Sequence, residues 1–169
     1  GQAEQHRQAG TERGIAFDRF ELAEIPSPTA AAADAATYAP VELPYTDCCD
    51  PAYLAMRATF TLTSIPADGL GLVAFQQVDN FVIRVNGAIV HQIGRMEFGR
   101  QTFDGQRPYL IRIPAGMLAT GDNSLSFLTV RDAYPYPDLV PPTLGPYDQV
   151  RDATAKRFWQ TIDYRVLGG

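Results

Sequence analysis

An all-β sandwich is the fold class this sequence predicts, and three observations predict it. Leu54, Met56, Ala58, Phe60 and Leu62 alternate with Ala55, Arg57, Thr59, Thr61 and Thr63, a period of two with β-branched threonines on the polar side. Phe81 to Val85 and Ala88 to Ile93 flank Asn86-Gly87, the pair a type I′ hairpin turn favours because both central residues take positive φ. Strand-like runs recur at about ten-residue spacing between turn residues with only scraps of helix, the pattern of a Greek-key or jelly-roll sandwich of about eight strands.

Taken in order, Gly1 to Gly14 is polar and without period and reads as a frayed N-terminal arm, leaving 15–169 as a single sandwich domain. Ile15 to Glu24 is the first expected strand. Pro26, Pro28, Pro40, Pro44 and Pro51 punctuate the next segment around an alanine run, Ala30 to Ala36, that Asp34 interrupts. Prolines at that density forbid a long helix, so this segment reads as an extended loop over the core with one helical turn. The alternating stretch from Leu54 to Thr63 is a half-buried antiparallel strand, and Ile65-Pro-Ala-Asp-Gly69 is a turn. Leu70 to Gln76 is a further strand. In the hairpin that follows, Phe81, Ile83 and Val85 face one way and Val82 and Arg84 the other. Arg95 to Arg107 is a polar loop, Tyr109 to Ile113 a strand stopped by Pro114, Ala115 to Ala119 a turn of helix, and Ser124 to Val130 another strand. Ala133 to Pro146 is rich in proline and reads as a surface excursion. Tyr147 to Arg157 suits a short helix, and Phe158 to Leu167 alternates as a closing strand.

Composition bounds what the domain does. The chain has 169 residues, with 14 basic and 19 acidic side chains and a formal charge of −5. A chain of this size buries roughly 70% of its unfolded surface, enough for a core without metals or disulfides. Disorder, collagen and coiled coil do not fit 9 Phe, 8 Tyr and a 46% hydrophobic content. No apolar run approaches the roughly 18 to 20 residues of a membrane span, and the acidic balance argues against a nucleic-acid partner. All the basic residues but Lys156 are arginines, which with the many alanines reflects base composition and indicates no partner. Gly1 in place of Met reads as a processed or trimmed start. Cys48 and Cys49 are adjacent, with Cα atoms about 3.8 Å apart, below the roughly 4.4 to 6.8 Å of an ordinary disulfide. Two reduced, largely buried thiols are the plainer reading, and a strained vicinal disulfide is the other.

Catalysis needs a nucleophile with a base, or paired carboxylates. His6 sits in the arm and His91 in the hairpin, and no Gly-x-Ser-x-Gly elbow, phosphate-cradling loop or histidine metal motif is present. Asp47 with Asp50, or Asp132 with Asp138, offers oxygen ligands for calcium, against the plainer reading of solvated turn aspartates. The residues call for no cofactor, no metal and no catalytic group. Binding is better supported, because planar rings and fixed donors hold polar small molecules. Tyr134-Pro-Tyr136-Pro-Asp138 presents two rings beside a carboxylate on a long connection, although such tyrosines also serve simply to cover a sandwich edge. Trp159 is either a core anchor of the last strand or part of a binding surface. Arg57 and Arg84, on the polar faces of adjacent strands, converge on an anionic or hydroxylated ligand, or else form ordinary surface pairs.

From Pro51 onward, the order of alternating strand, Gly-rich strand, Val78-Asp79-Asn80 leading to Asn86-Gly87, polar loop, Tyr109-Leu-Ile-Arg-Ile-Pro114 and Gly121-Asp-Asn-Ser-Leu-Ser-Phe127 resembles the galactose-binding-like jelly rolls that accompany glycoside hydrolases. It also resembles the extracytoplasmic jelly-roll sensor domains of bacterial seven-transmembrane receptors with diverse intracellular signalling modules, and of related histidine kinases and diguanylate cyclases. Leu144-Gly145-Pro146 and Arg157-Phe158-Trp159 stand where, in that family, the chain leads toward the first membrane helix. The second resemblance implies a non-enzymatic domain that senses a carbohydrate or other polar small molecule. It implies a periplasmic or extracellular setting, attachment to the inner membrane only through segments outside this chain, and leaves homodimerisation open. The first implies an accessory carbohydrate-binding module of a secreted glycoside hydrolase. A sandwich that only mediates protein contacts is the third reading.

Overall fold

The structure, a computed structural model, describes residues 8–10, 14–17, 19–46, 50–75, 80–98, 100, 108–131 and 140–155. Its strands form two sheets. The larger runs in the order β4 (Ala39–Glu42), β3 (Arg19–Ile25), β5 (Ala52–Leu62), β10 (Gly121–Arg131), β7 (Asn80–Val85) and β8 (Ala88–Ile93), with β1 (Gln8–Gly10) lying parallel against β5. The smaller runs β2 (Ile15–Ala16), β11 (Thr143–Pro146), β6 (Leu70–Phe75) and β9 (Pro108–Ile113). From β5 onward the chain passes repeatedly from one sheet to the other, as in a jelly roll. The all-β sandwich expected from the alternation is the observed fold.

Its spine is the antiparallel pair β5–β10, in register over all eleven residues of each strand, from Leu62 opposite Gly121 to Ala52 opposite Arg131. Because successive side chains alternate in face, this register sends Met56, Phe60, Leu62, Leu125 and Phe127 inward, where Phe81, Ile83 and Val85 of β7 join them. Opposite lie Leu70, Leu72 and Ala74 of β6, Ile111 and Ile113 of β9 and Leu144 of β11. Each buried Leu, Ile or Phe is worth about 1.5 to 3 kcal/mol of transfer free energy. An edge-to-face contact of Phe17 on Phe60, 6.4 Å between centroids, and a tilted one of Phe20 on Phe127, 6.0 Å, continue the core toward the N-terminus.

Several elements differ from expectation. Ile15 to Glu24 is two strands in different sheets, because the chain crosses the sandwich there with Phe17 buried at the crossing. Within the segment read as an arm, Gln8–Gly10 forms β1. The proline-punctuated stretch holds the alanine turn, α1 (Ala30–Ala35), and also β4, an edge strand where Pro40 is tolerated. The excursion read over Ala133 to Pro146 is corrected by its last residues. Thr143–Pro146 is a strand between β2 and β6 with Leu144 fully buried, formed because the neighbouring strands supply its hydrogen bonds.

The expected helix is present over residues 147–155. It packs against a notch made by Gly71 and Gly145, cross-strand partners in the small sheet. A Cβ on Gly71 would lie 2.9 Å from Val150 Cβ, and one on Gly145 3.1 Å from Val150 Cγ2. Among the described residues no helix is long and apolar enough to cross a membrane. The closing strand read over Phe158 to Leu167, and Cys48 with Cys49, lie outside the described residues.

The Asn-Gly hairpin turn has φ 50° at Asn86 and 83° at Gly87, as a type I′ turn requires. Asn86 does more than turn. Its Nδ2 donates to Met117 O and to Asn123 Oδ1, both at 2.9 Å, and its Oδ1 accepts from Ser124 N at 2.9 Å. Buried Asn123 in turn accepts from Ala119 N and donates to Ala119 O and Gly121 O, locking the η1 (Ala115–Met117) turn onto β10. Asn123→Ala is expected to destabilise the domain by about 2 kcal/mol, since it strands several partners at once, whereas the exposed Ser124→Ala changes stability by less than about 0.5 kcal/mol. Urea unfolding of the two variants checks this, and equal midpoints would contradict it.

Candidate functional site

The outer face of the large sheet is divided. Toward the end of β5 that bears Tyr53 it is apolar and covered, because Ala33 of α1 packs with Ala23, Ile25, Ala55, Val82, Leu128 and Val130 in a second small core. A Thr29 cap starts α1, its Oγ1 accepting from Ala32 N at 3.2 Å. Beyond the helix the same face turns polar. There the register aligns Glu21 of β3 with Arg57 of β5, Arg57 with Ser126 of β10, and Ser126 with Arg84 of β7. Arg57 and Arg84 therefore share one face, as the alternation indicated, but they flank β10 and do not sit on adjacent strands.

Each arginine is held. Arg57 Nε donates to Glu21 Oε2 at 2.7 Å, and its guanidinium stacks 3.7 Å from the centroid of the Tyr38 ring. Tyr38 OH donates to Ala33 O at 2.8 Å, fixing that ring at the foot of α1. Burial raises the Tyr38 pKa above its ordinary value, with Arg57 opposing the rise, so the phenol keeps the proton it donates. Arg84 Nε donates to Gly87 O at 3.3 Å and Nη2 lies 3.4 Å from Asp34 Oδ1 of α1. The two partners differ in setting, since the Arg84 side chain is 9% exposed and Asp34 is 70% exposed. The half-exposed Arg57–Glu21 pair contributes little to stability.

The result is a row of two guanidiniums, two carboxylates, a serine hydroxyl and a tyrosine, with formal charges that cancel. Thr59 and Ser124 extend it as exposed hydroxyls on the same face, and Thr61 Oγ1 donates to Asp122 Oδ1 at 2.9 Å. Because each arginine of the row already faces a carboxylate, these alternating donors and acceptors match a neutral polyhydroxylated ligand better than an anion. Glu21, Asp34 and Tyr38 were not legible as site residues. Cross-strand register alone brings in Glu21, and packing of α1 on the sheet brings in the other two. Tyr134, Tyr136, Asp138 and Trp159 lie outside the described residues, as do Asp47 and Asp132.

His91 faces the sandwich interior opposite Ile83, its ring 5.8 Å from that of Tyr109 across on β9. Its Nε2 is buried with no hydrogen-bond partner among the described residues, and burial lowers its pKa. Among the described residues no group of three or more His, Cys, Asp or Glu is placed to hold a metal ion.

No protein-family model matches the sequence, and no curated protein matches it either. Solved structures share the fold. A β-glucuronidase of Bifidobacterium dentium, complexed with coumarin-3-O-glucuronide, is 15% identical with a TM-score of 0.54 over 73% of this chain and 21% of that one. A β-glucuronidase from Ruminococcus gnavus, in complex with a C6-substituted uronic isofagomine, is 12% identical with a TM-score of 0.54 over 78% of this chain and 28% of that one. The chain thus spans between 21% and 28% of these two enzymes' length. At such identity the likeness is one of fold.

Because the His91 pKa is lowered in the folded chain, the unfolded chain takes up the proton first. Stability from this group is full above the ordinary histidine value of about 6.5 and is lost as pH falls through that value toward the depressed one. His91→Gln is therefore expected to lose less stability than the parent on acidification from neutrality, as measured by thermal unfolding. An identical pH dependence in the variant would contradict the placement of His91.

Proposed function

We propose that this chain is a non-catalytic recognition module that binds a carbohydrate or similar polyhydroxylated molecule on the polar outer face of its large sheet. The carrying observation is the Arg57–Ser126–Arg84 row, with Glu21, Asp34 and Tyr38 disposed around it. Vicinal hydroxyls each donate and accept, so they pair with a carboxylate and a guanidinium at once. Arg84, its side chain 9% exposed and tied to Gly87 O and Asp34, holds the far end of the row in place, while the half-exposed Arg57 offers its guanidinium to a ligand. The absence of a catalytic role is supported by the place of His91, turned between the sheets and away from this polar row.

The module belongs, on this reading, outside the cytoplasm. Two settings fit it. The ectodomain of a membrane-bound signalling receptor, a histidine kinase or diguanylate cyclase, rests on the sequence resemblance over residues 51–169. There, ligand binding would shift populations of the domain, or its association with a second copy, and so bias the attached helices. An accessory module of a secreted glycoside hydrolase is favoured by the fold shared with two β-glucuronidases. The gene sequence adjoining this chain separates them, since hydrophobic spans after Gly169 require the receptor and a catalytic barrel requires the hydrolase.

A thermal-shift panel of neutral sugars and uronic acids, D-glucuronic acid among them, tests the binding claim. The expected result is a raised midpoint with at least one neutral sugar and roughly tenfold weaker binding in Arg57→Ala, the loss of one charge-assisted hydrogen bond. A midpoint unmoved by the whole panel would overturn it. The companion variant Tyr134→Ala with Tyr136→Ala is expected to abolish binding if those tyrosines contact the ligand, and an unchanged affinity excludes them from the site.

A further inference from the structure

Two large hydrophobic side chains are exposed among the described residues, Ile89 at 60% and Phe98 at 41%. Ile89 sits on the edge strand β8. Phe98 is different, because the segment that carries it is fastened at several points. Fully buried Asn80 donates through Nδ2 to Arg95 O at 2.6 Å. Met96 is buried in the small core beneath α1. Phe98 N donates to Tyr53 OH at 3.1 Å, the Phe98 ring lies 4.2 Å from the Tyr53 ring at 32°, and Arg100 N donates to Glu97 O at 3.0 Å. A buried amide, a buried thioether and a tyrosine hydroxyl thus hold in place a ring that remains open to water. The Tyr53 ring covers one side of Phe98, and the part that stays exposed is apolar surface that a ligand would cover.

We infer that Phe98, backed by Tyr53, is a stacking platform for the C–H face of a pyranose ring, a second subsite of the carbohydrate-recognition module and resting on that reading of it. The surroundings choose this occupant. Arg95, Glu97 and Arg100, on the segment that carries the ring, are all exposed. An apolar protein surface laid over Phe98 would desolvate those charged groups, at a cost that one ring cannot offset. A sugar has an apolar face of the ring's own size and a rim of hydroxyls that reach the charges. The platform is distinct from the arginine row. Tyr53 lies four residues from Arg57 along β5, roughly 13 Å, with Ala55 and the α1 contact between them.

The test is a titration of the full chain with methyl β-D-glucopyranoside and, separately, methyl β-D-galactopyranoside, followed by the backbone amide signals of Glu97, Phe98 and Arg100 and of Arg57 and Ser126. At least one glycoside is expected to shift the Glu97, Phe98 and Arg100 signals in a saturable way. Phe98→Ala is expected to weaken that local response roughly tenfold, and Phe98→Tyr to keep it. Tyr53→Phe frees the Phe98 amide and is expected to speed its hydrogen exchange and weaken the same response. No response around Phe98 with either sugar, or one unchanged by Phe98→Ala, overturns the platform. If Arg57 and Ser126 still respond in that case, the arginine row stands without it. If Phe98 responds and they are silent, the platform stands and the row falls.

Discussion

The pairing of β5 with β10 fixes everything else in this domain. With their eleven residues in register, the two strands commit each alternate side chain to one of two environments, and a slip of one residue would exchange them. In whichever strand turned over, its inward phenylalanine, Phe60 or Phe127, would then face water, and Arg57 or Ser126 would enter the core. The free energy of burying the phenylalanines thus also holds the polar row on the outside. No separate interaction is needed to place Arg57 beside Ser126 and Ser126 beside Arg84, because the hydrogen-bond ladder that builds the core builds the row.

The remaining devices adapt this spine to its neighbours. The Asn86 and Asn123 amides tie the hairpin turn to the η1 turn, closing the end of the sandwich at which β10 begins. The facing glycines at 71 and 145 let the helix over residues 147–155 approach the small sheet. On the opposite face α1 covers part of the large sheet and leaves the rest open. Its boundary places Tyr38 against Arg57 and Asp34 over Arg84, so one short alanine-rich helix shapes both the second small core and the margin of the candidate site.

How much of this was legible in the sequence depended on whether a signal was local. The period of two from Leu54 to Thr63 and the Asn86-Gly87 turn depend on a few neighbouring residues, and the structure has both. Thr143–Pro146 was illegible as a strand, because a four-residue run with Gly and Pro has no period, and only β2 and β6 on either side make it one. The break between β2 and β3 was hidden for a related reason, since Phe17 is as apolar at a sheet crossing as in a strand. At the site, alternation placed Arg57 and Arg84 on polar faces. It could not show that β10 lies between them, nor bring in Glu21, Asp34 and Tyr38, which arrive through register and helix packing. Phe98 carried no sequence signal, because its fastening to Asn80, Met96 and Tyr53 is wholly tertiary.

The central claim is that strand parity presents the polar outer face of the large sheet as the surface where a sugar binds. Ser126→Trp tests it most directly, because the new indole would occupy the space between Arg57 and Arg84 without entering the core. The account predicts that this variant unfolds at nearly the parent's temperature yet loses the midpoint rise that the best neutral sugar gives the parent. A sugar-induced rise that persists undiminished in Ser126→Trp would contradict it.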